Sequence, residues 1–85
     1  MAAKYRLFYM PACPFCQKVL RWMDAQGVAF GEGGTVEPAD ITADPAFREE
    51  LARVGGKVQV PCLLIDGKPM YESDDIVAYL RDNVA

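Results

Sequence analysis

Two cysteines separated by two residues are the feature of this 85-residue chain best suited to chemistry. The sequence Cys-Pro-Phe-Cys at positions 13–16 follows an apolar run at 5–10 and precedes a segment with helical spacing. Such a pair at a strand-to-helix junction in a short chain indicates a redox dithiol. The positive end of a helix stabilises the thiolate, which is the nucleophile in disulfide exchange. We therefore expect Cys13 at the helix entrance and Cys16 one turn later, close enough to form a disulfide with it.

Three other interpretations of the cysteine pair stay open. A zinc site usually needs four nitrogen or sulfur ligands, and the chain offers only Cys62 in addition and no histidine. A structural disulfide across so short a loop would remove little chain entropy. Two ordinary buried cysteines are the third possibility, because free cysteine is often buried. The redox interpretation fits best, and we expect no metal site.

Composition and charge limit the class of protein. The chain is 52% hydrophobic and 25% charged, which predicts one globular domain over residues 1–85. Its net charge of −3 argues against non-specific nucleic-acid binding, and its apolar runs are too short to span a membrane. Residues 1–4 lead directly into a strand-like run, so we expect no signal peptide. Three cysteines do not make a disulfide scaffold, and a reducing cytoplasm fits best.

Hydrophobic spacing and turn residues predict seven elements. A strand at 5–10, apolar without clear alternation, should be buried on both faces. A helix should run to Gln26, with Gly27 as its stop. The segment 28–42 is least clear; parts of 35–41 give a second strand, at an edge because of Pro38. Asp44 should cap a second helix, which ends at the glycine pair 55–56.

The last third of the sequence predicts a β-hairpin followed by a helix. A third strand ends at Ile65, the Asp66-Gly67 turn follows, and a short fourth strand occupies 68–71. Ser73 should cap the final helix. The order β-α-β-α-β-β-α predicts an α/β fold in which three helices cover both faces of a four-stranded mixed sheet.

With that order, the sequence resembles the thioredoxin superfamily and, within it, the dithiol glutaredoxins. The Cys-Pro-Phe-Cys segment is similar to their active-site motif. Gln59-Val60-Pro61 resembles their Thr-Val-Pro segment, in which the proline is cis. The acidic turn at 73–75 resembles their γ-glutamyl-binding turn, and residues 71–80 are also similar to the N-terminal domain of glutathione transferases. The three matches span nearly the whole chain.

The resemblance implies glutathione-dependent thiol–disulfide exchange, with Cys13 as the attacking thiol and Cys16 as the resolving thiol. It implies that the γ-glutamyl end of glutathione meets Asp74 through its ammonium, and Ser73 and the helix N-terminus through its carboxylate. Val60, before a cis Pro61, would present its backbone to the cysteinyl part. The remaining residues assigned to the glutathione site by this resemblance are Gln59 and Glu72. Pro61 could instead be a plain turn proline, and 73–75 could be plain capping residues.

The chain departs from the glutaredoxin pattern at several positions. Met10 stands where a lysine usually helps to bind the glycyl carboxylate; Lys57 could partly replace it or could simply be solvated. The Gly-Gly usual before the γ-glutamyl turn is Tyr71-Glu72, as in the transferases. Cys62 should be a buried strand residue near the site, with a third redox thiol as the minor alternative.

The function expected from these residues is that of a small, monomeric, cytoplasmic oxidoreductase acting in cell redox homeostasis. It would reduce protein–glutathione mixed disulfides and protein disulfides, with glutathione as co-substrate and oxidised proteins as partners. A non-catalytic glutathione-binding module resembling a transferase N-domain is the second hypothesis. The third is an iron–sulfur carrier, against which Pro14 weighs because cluster-binding relatives typically have glycine there.

Overall fold

A computed structural model describes residues 5–84 and contains the predicted order of elements. The strands are β1 (Tyr5–Tyr9), β2 (Val36–Asp40), β3 (Cys62–Ile65) and β4 (Lys68–Met70). The helices are α1 (Pro14–Gln26), α2 (Pro45–Gly55) and α3 (Ser73–Asn83). The predicted α/β class and the β-α-β-α-β-β-α order are confirmed.

The four strands form one mixed sheet in the order β2-β1-β3-β4. β1 pairs in parallel with β2 and antiparallel with β3, and β3 pairs antiparallel with β4. The edge position predicted from Pro38 is confirmed, since β2 is an outer strand, and Pro69 also lies in an outer strand, β4. Asp66 and Gly67 both have positive φ, of 48° and 85°, as the tight turn between β3 and β4 requires.

Adjacent residues of β1 point into two different cores, because side chains alternate along a strand. Leu7 belongs to a cluster that includes Val19 and Met23 of α1 and Leu80 of α3. Phe8 belongs to a second cluster, on the side of the sheet that α2 covers. Both faces of β1 are therefore buried, as its apolar run predicted.

The ends of the first two helices follow the sequence signals. Asp44 accepts a 2.9 Å hydrogen bond from the Ala46 backbone N–H and so caps α2. Gly27 ends α1 with a φ of 72°, in the left-handed region that favours glycine.

The predicted cap of α3 is wrong by one position. Ser73 is the first helical residue, and Glu72 occupies the N-cap position with a φ of 73° and no side-chain capping bond. The physical reason is the sharp bend at Glu72, which turns the chain from β4 into the helix one residue earlier than the serine signal indicates. Asp74 and Asp75 lie in the first turn as predicted, where negative charge suits the helix dipole.

Within residues 5–84, no helix combines the length and the apolar character needed to cross a bilayer. Residues 1–4, on which the expectation about a signal peptide depends, lie outside the described residues.

Candidate active site

Cys13 lies at the N-cap position of α1, where the β1–α1 loop enters the helix. The loop is folded back by a 3.1 Å bond from the Cys13 N–H to the Met10 carbonyl oxygen. The Gln17 side chain donates a 2.9 Å bond to the Pro11 carbonyl and holds the loop from the helix side. Pro14 takes the first helical position, where its missing N–H costs nothing. These local contacts set Cys13, which is partly exposed, at the positive end of the helix.

The environment of Cys13 favours its thiolate. Burial acts to raise the pKa of Cys13, but the Cys16 N–H, the Cys16 thiol and the Phe15 N–H together lower it below the ordinary thiol value. The sulfur forms no regular capping hydrogen bond, so the stabilisation comes from the polar groups around it rather than from one short contact. Two of those groups are first-turn amides, which have no partner within the helix. Cys13 is therefore a candidate nucleophile.

Cys16 differs from Cys13 in both its burial and its pKa. It is fully buried in the helix–sheet core, and burial, followed by interactions with Cys13, raises the pKa of Cys16 to about 12, although the Met10 backbone acts to lower it. Cys13, Cys16 and Cys62 are all free thiols. The pair thus combines an accessible, acidified thiol with a protected one, which is the division of roles that a dithiol exchange needs.

An open cleft of about 250 Å³ lies beside the start of α1. Three segments that are distant in the sequence form its lining, which comprises Phe15, Lys18, Gln59, Val60, Pro61, Glu72, Ser73 and Asp74. All six residues expected from the sequence to contact glutathione are in this set. The volume lies below the range usual for drug-sized ligands, so the cleft suits one part of a small peptide. Cys13 is the N-cap of α1, and α1 supplies two of the lining residues, Phe15 and Lys18.

The backbone of the cleft has two unusual conformations. The Val60-Pro61 peptide bond is cis, as the Gln-Val-Pro segment predicted. Glu72 has a positive φ, which is uncommon for a residue with a side chain. Directly after Glu72, the first turn of α3 brings Ser73 and Asp74 into the cleft wall together with amide groups that have no helical partner. This wall can accept an anionic group at the helix end and a cationic group at the carboxylate.

An ion pair links two walls of the cleft. The Lys18 ammonium on α1 binds the Asp74 carboxylate on α3. The Lys18 side chain is 49% exposed and that of Asp74 is 82% exposed, so the pair contributes little to stability.

Two residues of the cleft lining, Lys18 and Phe15, were not predicted from the sequence to belong to the site. Phe15 is 65% exposed despite its size and lines the cleft. No sequence signal connects Lys18 with Asp74, because they are 56 positions apart. For Lys18, the available signal was its place on the polar side of α1, two residues after Cys16.

The structure defines the surroundings of Met10, Lys57 and Cys62. Met10 is partly buried and packs against the cluster around Phe8. The Lys57 ammonium lies 4.4 Å from the ring centroid of Tyr71, whose hydroxyl donates a 3.2 Å bond to the Lys57 carbonyl oxygen. Cys62 is the first residue of β3 and is fully buried, as expected. Burial raises the pKa of Cys62, and interactions with Tyr71, the Met70 backbone and Lys57 offset this only in part.

Comparison with known proteins agrees with this geometry. The family described as glutathione S-transferase, N-terminal domain, matches residues 7–85. A probable glutaredoxin of Synechocystis is 33% identical over 92% of this chain and 83% of its own length. The chain is a glutaredoxin-like member of the thioredoxin superfamily. These relationships support a glutaredoxin-like thiol oxidoreductase.

Two further relatives extend the comparison of this glutaredoxin-like protein. Glutaredoxin 3 of Escherichia coli is 28% identical over 89% of this chain and 84% of its own length. The solved complex of buckwheat glutaredoxin with glutathione has a TM-score of 0.66 at 21% identity, covering 93% of this chain and 69% of that one. At that identity the structural likeness concerns the fold alone.

The glutaredoxin-like site predicts an order of thiol reactivity. Iodoacetamide should alkylate Cys13 first, with a rate that rises with pH around a midpoint below the value of about 8.5 usual for a free thiol. Cys16 should react only at much higher pH, because its pKa is raised to about 12 and it is buried. Time-resolved labelling with tandem mass spectrometry measures both rates, since fragmentation separates two cysteines within one peptide. Earlier labelling of Cys16 would reverse the two roles.

Proposed function

We propose that the protein uses glutathione to reduce protein–glutathione mixed disulfides and protein disulfides through Cys13 and Cys16. The observation that carries the proposal is the acidified, partly exposed Cys13 at the start of α1, the helix that also forms one wall of the cleft. The resemblance in sequence to Synechocystis and Escherichia coli glutaredoxins supports it. We place this reaction in the reducing cytoplasm, with a single-domain monomer as the acting species.

In the monothiol reaction, the Cys13 thiolate attacks the glutathione sulfur of the mixed disulfide. A Cys13–glutathione disulfide forms, and the substrate sulfur leaves as a thiolate that takes a proton from water. The thiolate of a second glutathione then attacks the glutathione sulfur held on Cys13. Glutathione disulfide leaves and the Cys13 thiolate is restored. Two glutathione sulfurs thus form one disulfide, one of them taken from the substrate.

In the dithiol reaction, Cys13 attacks a protein disulfide and Cys16 resolves the resulting mixed disulfide. The attack removes the negative charge of Cys13, and with it a contribution that raises the pKa of Cys16. The resolving thiol is therefore easier to deprotonate after Cys13 has reacted than before. The Cys13–Cys16 disulfide that forms is then reduced by two glutathione molecules, which leave as glutathione disulfide.

The glutathionyl part of the substrate would lie in the cleft. Val60 would present its backbone to the cysteinyl part, with Gln59 and Pro61 beside it, as an added strand pairs with an edge. The α3 N-terminus and Ser73 would hold the γ-glutamyl carboxylate, Asp74 would hold its ammonium, and Glu72 would line the bend before them. In the buckwheat glutaredoxin complex the bound molecule is glutathione, which agrees with this assignment of the ligand.

The match to the transferase N-terminal domain favours a second candidate, a module that binds glutathione without turnover. The lowered pKa of Cys13 argues for catalysis instead, because a holding site has no need of a thiolate.

Steady-state turnover separates the two candidates. A glutathionylated peptide is supplied with glutathione, glutathione reductase and NADPH, and NADPH consumption is followed. The proposal predicts turnover that saturates with the peptide and depends on glutathione. Thioredoxin reductase in place of glutathione and its reductase should support little turnover. Glutathione binding without turnover would instead establish the module.

A further inference from the structure

The side chains that line the cleft carry charges that favour a role for Lys18 in binding glutathione, in addition to the α3 N-terminus. Two carboxylates, those of Glu72 and Asp74, line the cleft together with the ammonium of Lys18. Glutathione carries one ammonium and two carboxylates, so it is also net negative. Its ammonium can meet Asp74, but its carboxylates approach a wall that already holds negative charge, and like charges repel. Among the residues that line the cleft, Lys18 is the one that offers a positive side chain.

Lys18 is placed to change partner. Its ammonium binds the Asp74 carboxylate, which is the group that the proposed function assigns to the γ-glutamyl ammonium. The pair is largely exposed, so opening it costs little. A ligand that neutralises Asp74 therefore releases Lys18 at the same point of the cleft.

We propose that Lys18 is a specificity residue of this cleft, exchanging its ion pair with Asp74 for the α-carboxylate of the γ-glutamyl group. The inference rests on the proposed function, whose ligand it specifies further. The ammonium and carboxylate of an α-amino acid are attached to one carbon. A ligand with its ammonium on Asp74 therefore brings that carboxylate next to the cation that was paired with Asp74. Lys18 and the α3 N-terminus then hold the carboxylate from two sides, and the cleft selects a zwitterion over a simple amine.

Calorimetric binding of S-methylglutathione tests this without any turnover, because the methylated sulfur cannot exchange. Lys18→Gln should raise the dissociation constant about three- to fivefold, the scale of a half-exposed ionic contact. Lys18→Arg should restore most of the affinity. Arg21→Gln is the matched control, since it removes the same charge from the same helix at an exposed residue outside the cleft lining. Its dissociation constant should stay close to that of the wild type.

A second probe identifies the group that Lys18 binds. The S-methyl derivative of 4-aminobutyryl-cysteinyl-glycine lacks only the α-carboxylate and keeps the ammonium. Lys18→Gln should not weaken its binding, whereas Asp74→Asn should weaken the binding of both probes. An equal loss for both probes in Lys18→Gln, or no loss for S-methylglutathione, would overturn the role of Lys18. Normal Lys18 dependence in a protein that shows no turnover would overturn the proposed catalysis alone.

Discussion

Cys13→Ser should abolish the reduction of both glutathionylated peptides and protein disulfides. The serine hydroxyl is not ionised near neutral pH, so the nucleophile that the start of α1 acidifies is lost. We expect the steady-state rate to fall by at least about three orders of magnitude, as when other enzymes lose their nucleophile. NADPH consumption coupled through glutathione reductase measures the rate, with circular dichroism to establish that the variant is folded.

Cys62→Ala is the matched control for the loss of a cysteine. Cys62 is fully buried at the start of β3, and its pKa is raised, so it offers little thiolate. This variant should keep most of the activity, because the exchange cycle is complete with the other two thiols. Retained deglutathionylation in a folded Cys13→Ser protein would contradict the mechanism, and loss of turnover in folded Cys62→Ala would make Cys62 a working thiol.

Cys16→Ser should separate the two activities. A second glutathione can resolve the Cys13–glutathione disulfide, so removal of glutathione from a peptide needs one protein thiol. Reduction of a protein disulfide by the dithiol route needs Cys16 as the internal resolving group. We expect deglutathionylation to persist and dithiol activity to fall at least about tenfold, since an external thiol must replace an intramolecular one.

Parallel assays of one Cys16→Ser preparation on both substrates test this separation. Cys16 is a fully buried core residue on α1, so its replacement can change stability. Thermal unfolding followed by circular dichroism is therefore the necessary control. Equal loss of both activities in a folded protein would mean that Cys16 also takes part in the monothiol step. Full retention of both would mean that glutathione alone resolves every intermediate.

Local signals in the sequence were sufficient to predict most of the fold. The run at 5–10 lacks alternation because Leu7 and Phe8 face two cores, and this pattern predicted that the first strand is buried on both faces. Asp44 and Gly27 mark helix ends through their own backbone chemistry, which depends on few neighbours. The Ser73 cap was misplaced because the bend at Glu72 depends on how β4 joins α3, and no residue type in that segment encodes it.

Residues of the cleft could be predicted from the sequence only where they belong to a recognisable motif. Gln59, Val60 and Pro61 were found through their likeness to a family segment, and the structure places them on one cleft. Lys18 and Phe15 were not found, since their place in the cleft depends on packing between elements far apart in the chain. The Lys18–Asp74 pair joins two helices that meet only in the folded protein.

The most direct test of the central claim is to trap the intermediate. Cys16→Ser protein, mixed with a glutathionylated peptide in the absence of free glutathione, should retain the first covalent product because nothing resolves it. Mass spectrometry with fragmentation should find one glutathione attached to Cys13 and the peptide released as its thiol. Glutathione on Cys62, the peptide itself attached to Cys13, or no adduct on the folded protein would contradict glutathione-dependent exchange at Cys13.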